Sequence, residues 1–401
     1  MASSGFVPAR VSRMNQNLEQ HVGSGAISGA VALVSRRGET HVEVVGTSAI
    51  GSSHLLQRDS IFRISSMTKP ITAAAAMILI EECRLRLDEP IDRWLPELSQ
   101  RRVLRRINGP LEDVVPANRP ITVRDLLTFR LGFGIVMAAP GTVPIVDAMA
   151  QLRLGQGPPA PSIPPAPDEW IHNLGRLPLM HQPSERWMYG TGSDVLGVLI
   201  ARVSGQPFDV FLRERIFEPL GMRDTAFYVP VSRRDRFVTS YWTNFQSGAL
   251  EHLDAPDGQW SKPPAFPSGS AGLVSTADDF LAFAEMLMGQ GRRGSVRILS
   301  RASVELMTSD QLTPAQKAVS GLVQGFFEDN GWGFGVSMVT RRRELFGNVG
   351  TYGWDGGMGT SWANDPVTQL TGILLTQSAW VSPVQPLVCR DFWTTAAQML
   401  D

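Results

Sequence analysis

Ser66 and Lys69 stand three residues apart in the run Phe62-Arg63-Ile64-Ser65-Ser66-Met67-Thr68-Lys69-Pro70. On a helix that spacing puts both side chains on one face. A serine hydroxyl is a poor nucleophile until a base removes its proton, and a lysine is such a base only when burial lowers its pKa. The residues that follow, Ile71–Glu82, are apolar on nearly all sides, which predicts a buried helix and a buried Lys69 rather than a solvated one. Pro70 fits the first turn of that helix, whose free N–H groups favour a developing oxyanion. The chain has only three lysines, Lys69, Lys262 and Lys317, against 34 arginines, and only Lys69 has a serine three positions before it. Arginine keeps its proton near neutral pH, so a site that needs a basic amine must retain lysine.

Two more segments are candidate partners. Trp187-Met188-Tyr189-Gly190-Thr191-Gly192-Ser193-Asp194 places a tyrosine in a glycine-rich turn directly before a helix, and a phenol held near an ammonium can act as a general base. Gly353-Trp354-Asp355-Gly356-Gly357-Met358-Gly359-Thr360-Ser361-Trp362 reads as a strand whose glycines let its edge approach a ligand and present a backbone N–H. The plainer readings are a core tyrosine and a bulged strand. No Gly-x-Ser-x-Gly occurs, which counts against an α/β-hydrolase nucleophile elbow.

The elements that must position these residues follow from pattern. An amphipathic helix at about Val11–His21 precedes strands Gly29–Ser35 and His41–Val45, joined through Arg36-Arg37-Gly38-Glu39. Helical signals dominate from Ser66 to Gln206, including Val123–Thr128 and Asp194–Val203. The Pro-rich stretch Gly157–Pro167 reads as a surface loop or pocket rim. Thr276–Asp279 resembles a capping box before Phe280–Met288. Strands return at Gly335–Val339, Gly357–Ala363 and Gln369–Thr376, with a turn at Asn364-Asp365-Pro366, and Cys389–Leu400 closes as a helix. Strands at both ends imply one sheet built from both termini around an inserted helical unit. The expected division is residues 1–65 with 260–401 as an α/β unit, and 66–259 as a mostly helical one.

Composition narrows the function classes. At 401 residues and net charge −1, with 43% hydrophobic residues, the chain has core enough for two or three folding units and no basic surface for nucleic acid. Two cysteines, Cys83 and Cys389, exclude a disulfide framework and a Cys-based zinc site, and no His-x-x-x-His pair occurs, so no metal or other cofactor is expected. The polar Met1–Arg10 start lacks an apolar leader core, and the longest apolar run, Ala73–Ile80, is too short to span a bilayer. The expectation is a cytoplasmic protein with a small-molecule substrate and neither a nucleic-acid nor a membrane partner; oligomeric state is left open.

Together these segments resemble the serine β-lactamase/penicillin-binding-protein-like hydrolases, nearest the class C-like branch with its family VIII carboxylesterases and related acyltransferases. The likeness runs from about Val11 to Ala396. It includes Ser66–Lys69, Ile121–Thr128, Tyr189-Gly190-Thr191 with Asp194–Gly197, Pro219–Thr225, Gly272–Thr276 and the Trp354–Trp362 strand. The resemblance implies a β-lactamase/transpeptidase-like α/β (α+β) fold, with a central antiparallel sheet flanked by helices and a mostly helical domain beside it. It implies Ser66 as acylated nucleophile, Lys69 and Tyr189 as the bases exchanging its proton, and the N–H groups of Ser66 and Gly357 as oxyanion hole.

The departures bear on the substrate. Thr191 stands where β-lactamases of this class have Asn, and Trp354-Asp355-Gly356 replaces their Lys-Thr-Gly. The cation for a β-lactam carboxylate is missing, and Asp355 would repel that anion. Phe129-Arg130-Leu131-Gly132 replaces the His-Thr-Ser-Gly of many relatives. The expected activity is a serine carboxylesterase acting on small to medium, mostly uncharged esters, with Trp187, Thr191, Trp354, Asp355, Gly356 and Trp362, and with them Trp260, around the substrate. A β-lactamase or D-aminopeptidase, an acyltransferase using a natural-product alcohol, and an inactive binding scaffold are the alternatives.

Overall fold

Strand β1 (Gly29–Arg36) turns alternate side chains toward two different cores, Val31 and Leu33 to one and Ala30, Ala32 and Val34 to the other. A strand buried on both faces must lie inside a sheet covered on both sides. The computed structural model, which describes residues 5–139, 141–155, 157–244 and 246–400, places it there. Of the polar N-terminal stretch, residues 1–4 lie outside the described residues.

β1 pairs with β2 (Glu39–Gly46) through a two-residue turn in which Arg37 (φ 51°) and Gly38 (φ 84°) are both left-handed, the geometry that matches strand twist. The later strands are β3 (Asn330–Trp332), β4 (Ser337–Val339), β5 (Tyr352–Gly356), β6 (Thr360–Asp365) and β7 (Leu370–Thr376). They form one antiparallel sheet in the order β3-β4-β5-β6-β7-β1-β2. The N-terminal hairpin enters at the β1–β7 seam, where Val31 faces Leu375 and Leu33 faces Ile373. Both ends of the chain therefore build one sheet, as the strand pattern implies.

Helices α1 (Pro8–Gly23) and α5 (Leu387–Gln398) cover one face, burying Met14, Leu18, Phe392 and Trp393 against β1 and β7. On the other face lies α4 (Ala277–Met288), and the same core continues into α2 (Thr68–Glu81) and α3 (Thr191–Ser204). Every residue of α2 from Thr68 to Leu79 is buried, in keeping with its all-round apolar sequence. Among the described residues no single helix is long and apolar enough to cross a membrane.

Three local expectations change. Trp354–Trp362 is not one strand but the β5–β6 hairpin, with Gly357, Met358 and Gly359 at its tip and Trp354 directly opposite Trp362. Gly357 and Gly359 fall in the turn itself, while Gly356 is the last residue of β5. Thr276 caps α4 by accepting from Asp279 N–H (3.2 Å), but the Asp279 carboxylate accepts from Asp224 N–H and Thr225 Oγ1 instead of closing the box. Gly157–Ala166 is irregular, while Pro167 opens the helix Pro167–Arg176, its missing N–H costing nothing at that position.

The segment leading to Ser66 is anchored by Arg63. Its strand Phe62–Arg63 pairs with Val274–Ser275, and its guanidinium, 3% exposed, donates to Asp254 (3.0 Å), to the carbonyls of Val238 and Ala255, and covers the Phe237 ring at 4.0 Å. Removing one partner of a buried pair strands the other charge. Arg63→Ala is expected to destabilise the fold by about 3–5 kcal/mol in urea unfolding; a loss below about 1 kcal/mol would show that the pair is not holding this segment.

Candidate active site

Ser66 lies in a 3-10 turn, Ser65–Met67, that runs straight into α2. Ser65 just before it takes a left-handed φ of 45°, a strained choice for a side-chain-bearing residue. The turn is held from the sheet side. Thr360 Oγ1 donates to the Ile64 carbonyl (3.1 Å), and a Cβ on Gly356 would collide with that same carbonyl. Gly356 is thus required for the β5–β6 hairpin to lie against the Ser66 turn. Next to it Gly357 has open space where a side chain would project, and its carbonyl accepts from Trp380 N–H (2.8 Å).

One helical turn on, Lys69 is 1% exposed. Its Nζ donates to Ser66 Oγ (2.9 Å) and to the Ser270 carbonyl (2.8 Å), and sits 4.4 Å from the centre of the Tyr189 ring. Burial lowers its pKa to about 7, against an opposing pull from the Asp194 carboxylate. Near neutral pH the amine is therefore free to accept a proton from Ser66.

Tyr189 comes from the turn before α3, where Gly190 adopts φ 97° as the helix N-cap. Burial pushes its phenol above the ordinary tyrosine value, partly offset by hydrogen bonds from Ser66 and Trp354. Trp354 Nε1–H donates to Tyr189 Oη at 2.7 Å. The phenol is accordingly protonated in the resting site, its oxygen accepting from its neighbours and its hydrogen left for transfer. Phe129, Trp187, Trp332 and Trp354 pack round the Tyr189 ring with centroids 5.6–6.4 Å away.

Asp194, in the first turn of α3, has no assigned role in the sequence reading. Its Oδ1 accepts from Ser268 Oγ (2.6 Å) and from Ser270 N–H (3.1 Å), so a single residue, Ser270, lies between it and Lys69, its N–H on the carboxylate and its carbonyl on the amine. Gly269 makes this approach possible, since a Cβ there would collide with the Ser193 carbonyl. The only sequence signal was the position of an acidic residue one helical turn beyond Tyr189, which α-helical caps also explain.

Ser66, Lys69, Tyr189, Trp354, Gly356 and Gly357 converge. Trp187 stands behind Tyr189, and Thr191 is buried at the start of α3. Asp355 does not join them. Strand alternation turns it to the other face of β5, where its carboxylate accepts from Ser361 Oγ and Gln385 Nε2. Trp362 does not either: it is buried against Phe280 and Phe283 of α4. Trp260 is also away from the site, its ring 5.3 Å from the Arg63 guanidinium and its N–H on the Gly272 carbonyl. Arg130 donates to Thr128 Oγ1 and Gln316 Oε1 and so braces the wall below Phe129. A cavity of about 800 Å³ opens beside Tyr189, bordered by Trp187, Met188 and the 314–328 segment rather than by the Pro-rich loop.

This fold and this Ser–Lys–Tyr grouping define a β-lactamase/transpeptidase-like protein. The chain belongs to the Beta-lactamase family, which it matches over residues 14–381. It is 41% identical to Protein Rv1367c of Mycobacterium tuberculosis, across 88% of this chain and 86% of that one. It is 30% identical to esterase EstB of Burkholderia gladioli, across 94% and 92%. Among solved structures it resembles EstCE1, described as a hydrolase with promiscuous acyltransferase activity, with a TM-score of 0.78, 26% identity, and 97% and 98% of the two chains covered.

The Asp194 carboxylate favours the protonated form of Lys69, so its removal lets Lys69 deprotonate at lower pH. Asp194→Asn, which keeps the acceptor for Ser268 and Ser270, is expected to move the acidic limb of the kcat/KM profile down by about one pH unit. A limb that stays in place or moves up would mean that the Asp194 charge does not govern Lys69.

Proposed function

We propose that the chain is a serine carboxylesterase that cleaves small to medium esters through an acyl-enzyme on Ser66. The observation that carries this reading is the buried Lys69 amine, poised near neutrality and in hydrogen-bond contact with Ser66 Oγ. A lysine retained in an apolar core without a direct carboxylate partner is costly for a binding scaffold and useful to a nucleophile.

Lys69 takes the Ser66 proton as Oγ bonds to the ester carbonyl carbon. The carbonyl oxygen becomes an oxyanion, held by the N–H groups of Ser66 and Gly357. As the C–O bond to the alcohol breaks, Tyr189 gives its proton to the leaving alkoxide, and the Lys69 ammonium restores that proton to the phenolate. Trp354 Nε1–H stabilises the phenolate while it exists. Water then enters on the vacated side, loses its proton through the same pair, and releases the acid and free Ser66.

Esters are favoured over β-lactams for a reason that differs from the sequence argument. Asp355 faces away and does not line the site, its charge reaching it only as a contribution that raises the Tyr189 pKa. The absent cation remains: where β-lactamases of this class carry the Lys of Lys-Thr-Gly, Trp354 presents an indole already engaged with Tyr189.

Hydrolysis of p-nitrophenyl acetate, butyrate and octanoate, run beside a chromogenic cephalosporin, tests this directly. Ester turnover is expected to exceed cephalosporin turnover and to fall by at least about 10³-fold in Ser66→Ala. Cephalosporin turnover above ester turnover, or activity surviving in Ser66→Ala, would overturn the reading. Trp354→Phe removes one hydrogen bond from the phenolate and is expected to lower kcat about tenfold with little change in KM. A rise in KM alone would instead make Trp354 a substrate contact.

A further inference from the structure

The expectation of mostly uncharged esters rests on the lack of any anion clamp in the sequence motifs. The structure brings one to the cavity beside Tyr189. Arg186, three residues before Tyr189, borders that cavity, and its guanidinium has neither a hydrogen bond nor an ion pair among the described residues; its Nε is buried without an acceptor. Trp187, the next residue, also borders the cavity, and its Nε1–H is likewise buried without an acceptor. The Trp187 N–H is enclosed and closed to a ligand, whereas Arg186 is half-buried with only its Nε enclosed, which leaves its terminal nitrogens accessible and without a partner.

The other charged groups there do not supply one. Lys317 is paired with Asp310, and burial and the nearby Arg186 lower the His181 pKa against a smaller opposing pull from Glu185. Glu328 borders the cavity but is exposed and makes no ion pair with Arg186. The remaining walls are apolar, with Ile135, Met188 and Phe326 among them.

We infer that the cavity beside Tyr189 binds the alcohol arm of an ester that carries a carboxylate, with Arg186 as its recognition residue. This rests on the esterase reading, because in that mechanism Tyr189 protonates the leaving alkoxide. The alkoxide oxygen lies at Tyr189, and the alcohol attached to it extends into the space that Tyr189 borders. A guanidinium meets a carboxylate with two parallel N–H groups, here the terminal ones, which are unpaired and accessible. The volume, about 800 Å³, accommodates an apolar body between the reacting oxygen and the acid group.

Acetyl esters of 4-hydroxyphenyl alkanoic acids, with one to four methylenes before the carboxylate, and their primary amides provide matched pairs with the same leaving phenol. Wild type is expected to favour the acid over its amide by about tenfold or more in kcat/KM at the best chain length, mainly through KM. Arg186→Gln is expected to bring that ratio to about one, with Arg186→Lys in between. Equal kcat/KM within every pair for wild type, or an unchanged ratio in Arg186→Gln, would overturn the inference. If no ester is hydrolysed, the esterase reading fails, and the site is judged by calorimetric titration with the free 4-hydroxyphenyl alkanoic acids. Binding to wild type that is lost in Arg186→Gln upholds the carboxylate site; no binding, or equal binding by both, overturns it.

Discussion

Removing the Lys69 amine from water is the constraint on which the site depends. An ammonium in a low-dielectric core loses its hydration and gains little from distant charges, so the neutral form becomes accessible near physiological pH. That outcome needs more than a lysine. It needs α2 buried along its length, which needs the large core shared by the sheet, α3 and α4. The lowered basicity of Lys69 is in this sense a property of the whole packing arrangement, and the Ser270 carbonyl and Ser66 hydroxyl are the two acceptors that make the buried amine tolerable.

The same burial assigns opposite tasks to the two partners of Ser66. Desolvation disfavours the charged form of each group, which for lysine is the protonated one and for tyrosine the deprotonated one. One environment therefore turns Lys69 into a base and keeps Tyr189 an acid. Asp194 limits the first effect. Held by Ser268 and the Ser270 peptide, its charge reaches Lys69 without a direct ion pair, which would have fixed the amine in its protonated form.

How much of this is legible in the sequence depends on the range of the interaction. Ser66 and Lys69 can be read because their relation is local, three positions on one helix, and because the apolar run after them announces burial. Tyr189 is readable from its glycine-flanked turn. The hairpin from Tyr352 to Asp365 is harder: Gly356, Gly357 and Gly359 read as an open strand edge, whereas Gly356 is there for a backbone approach to Ile64 that lies almost 300 residues away. Asp355 is misplaced because the face a strand residue takes is set by register, here a property of the β5–β6 pairing; Trp362 shares the face of Trp354 but lies one strand further into the sheet, under α4. Arg186 is invisible as a candidate because 34 arginines offer no contrast; only its lack of a partner singles it out, and partners are a matter of tertiary structure.

The aromatic cluster ties the reacting groups to the cavity. Trp354 is in edge contact with Trp332 (4.7 Å) and donates to Tyr189; Trp187 packs on Tyr189 and on Phe326 and Phe327 of the cavity wall. Rings of this size leave few alternative rotamers once packed, so the phenol oxygen is held by its neighbours and not by its own hydrogen bonds alone. A substrate arm that displaces Phe326 or Trp187 would then be felt at Tyr189 Oη through two ring contacts. In the proposed mechanism the geometry of proton delivery and the fit of the alcohol arm are for this reason one packing problem, and the substitutions at positions 354 and 186 probe it from its two ends.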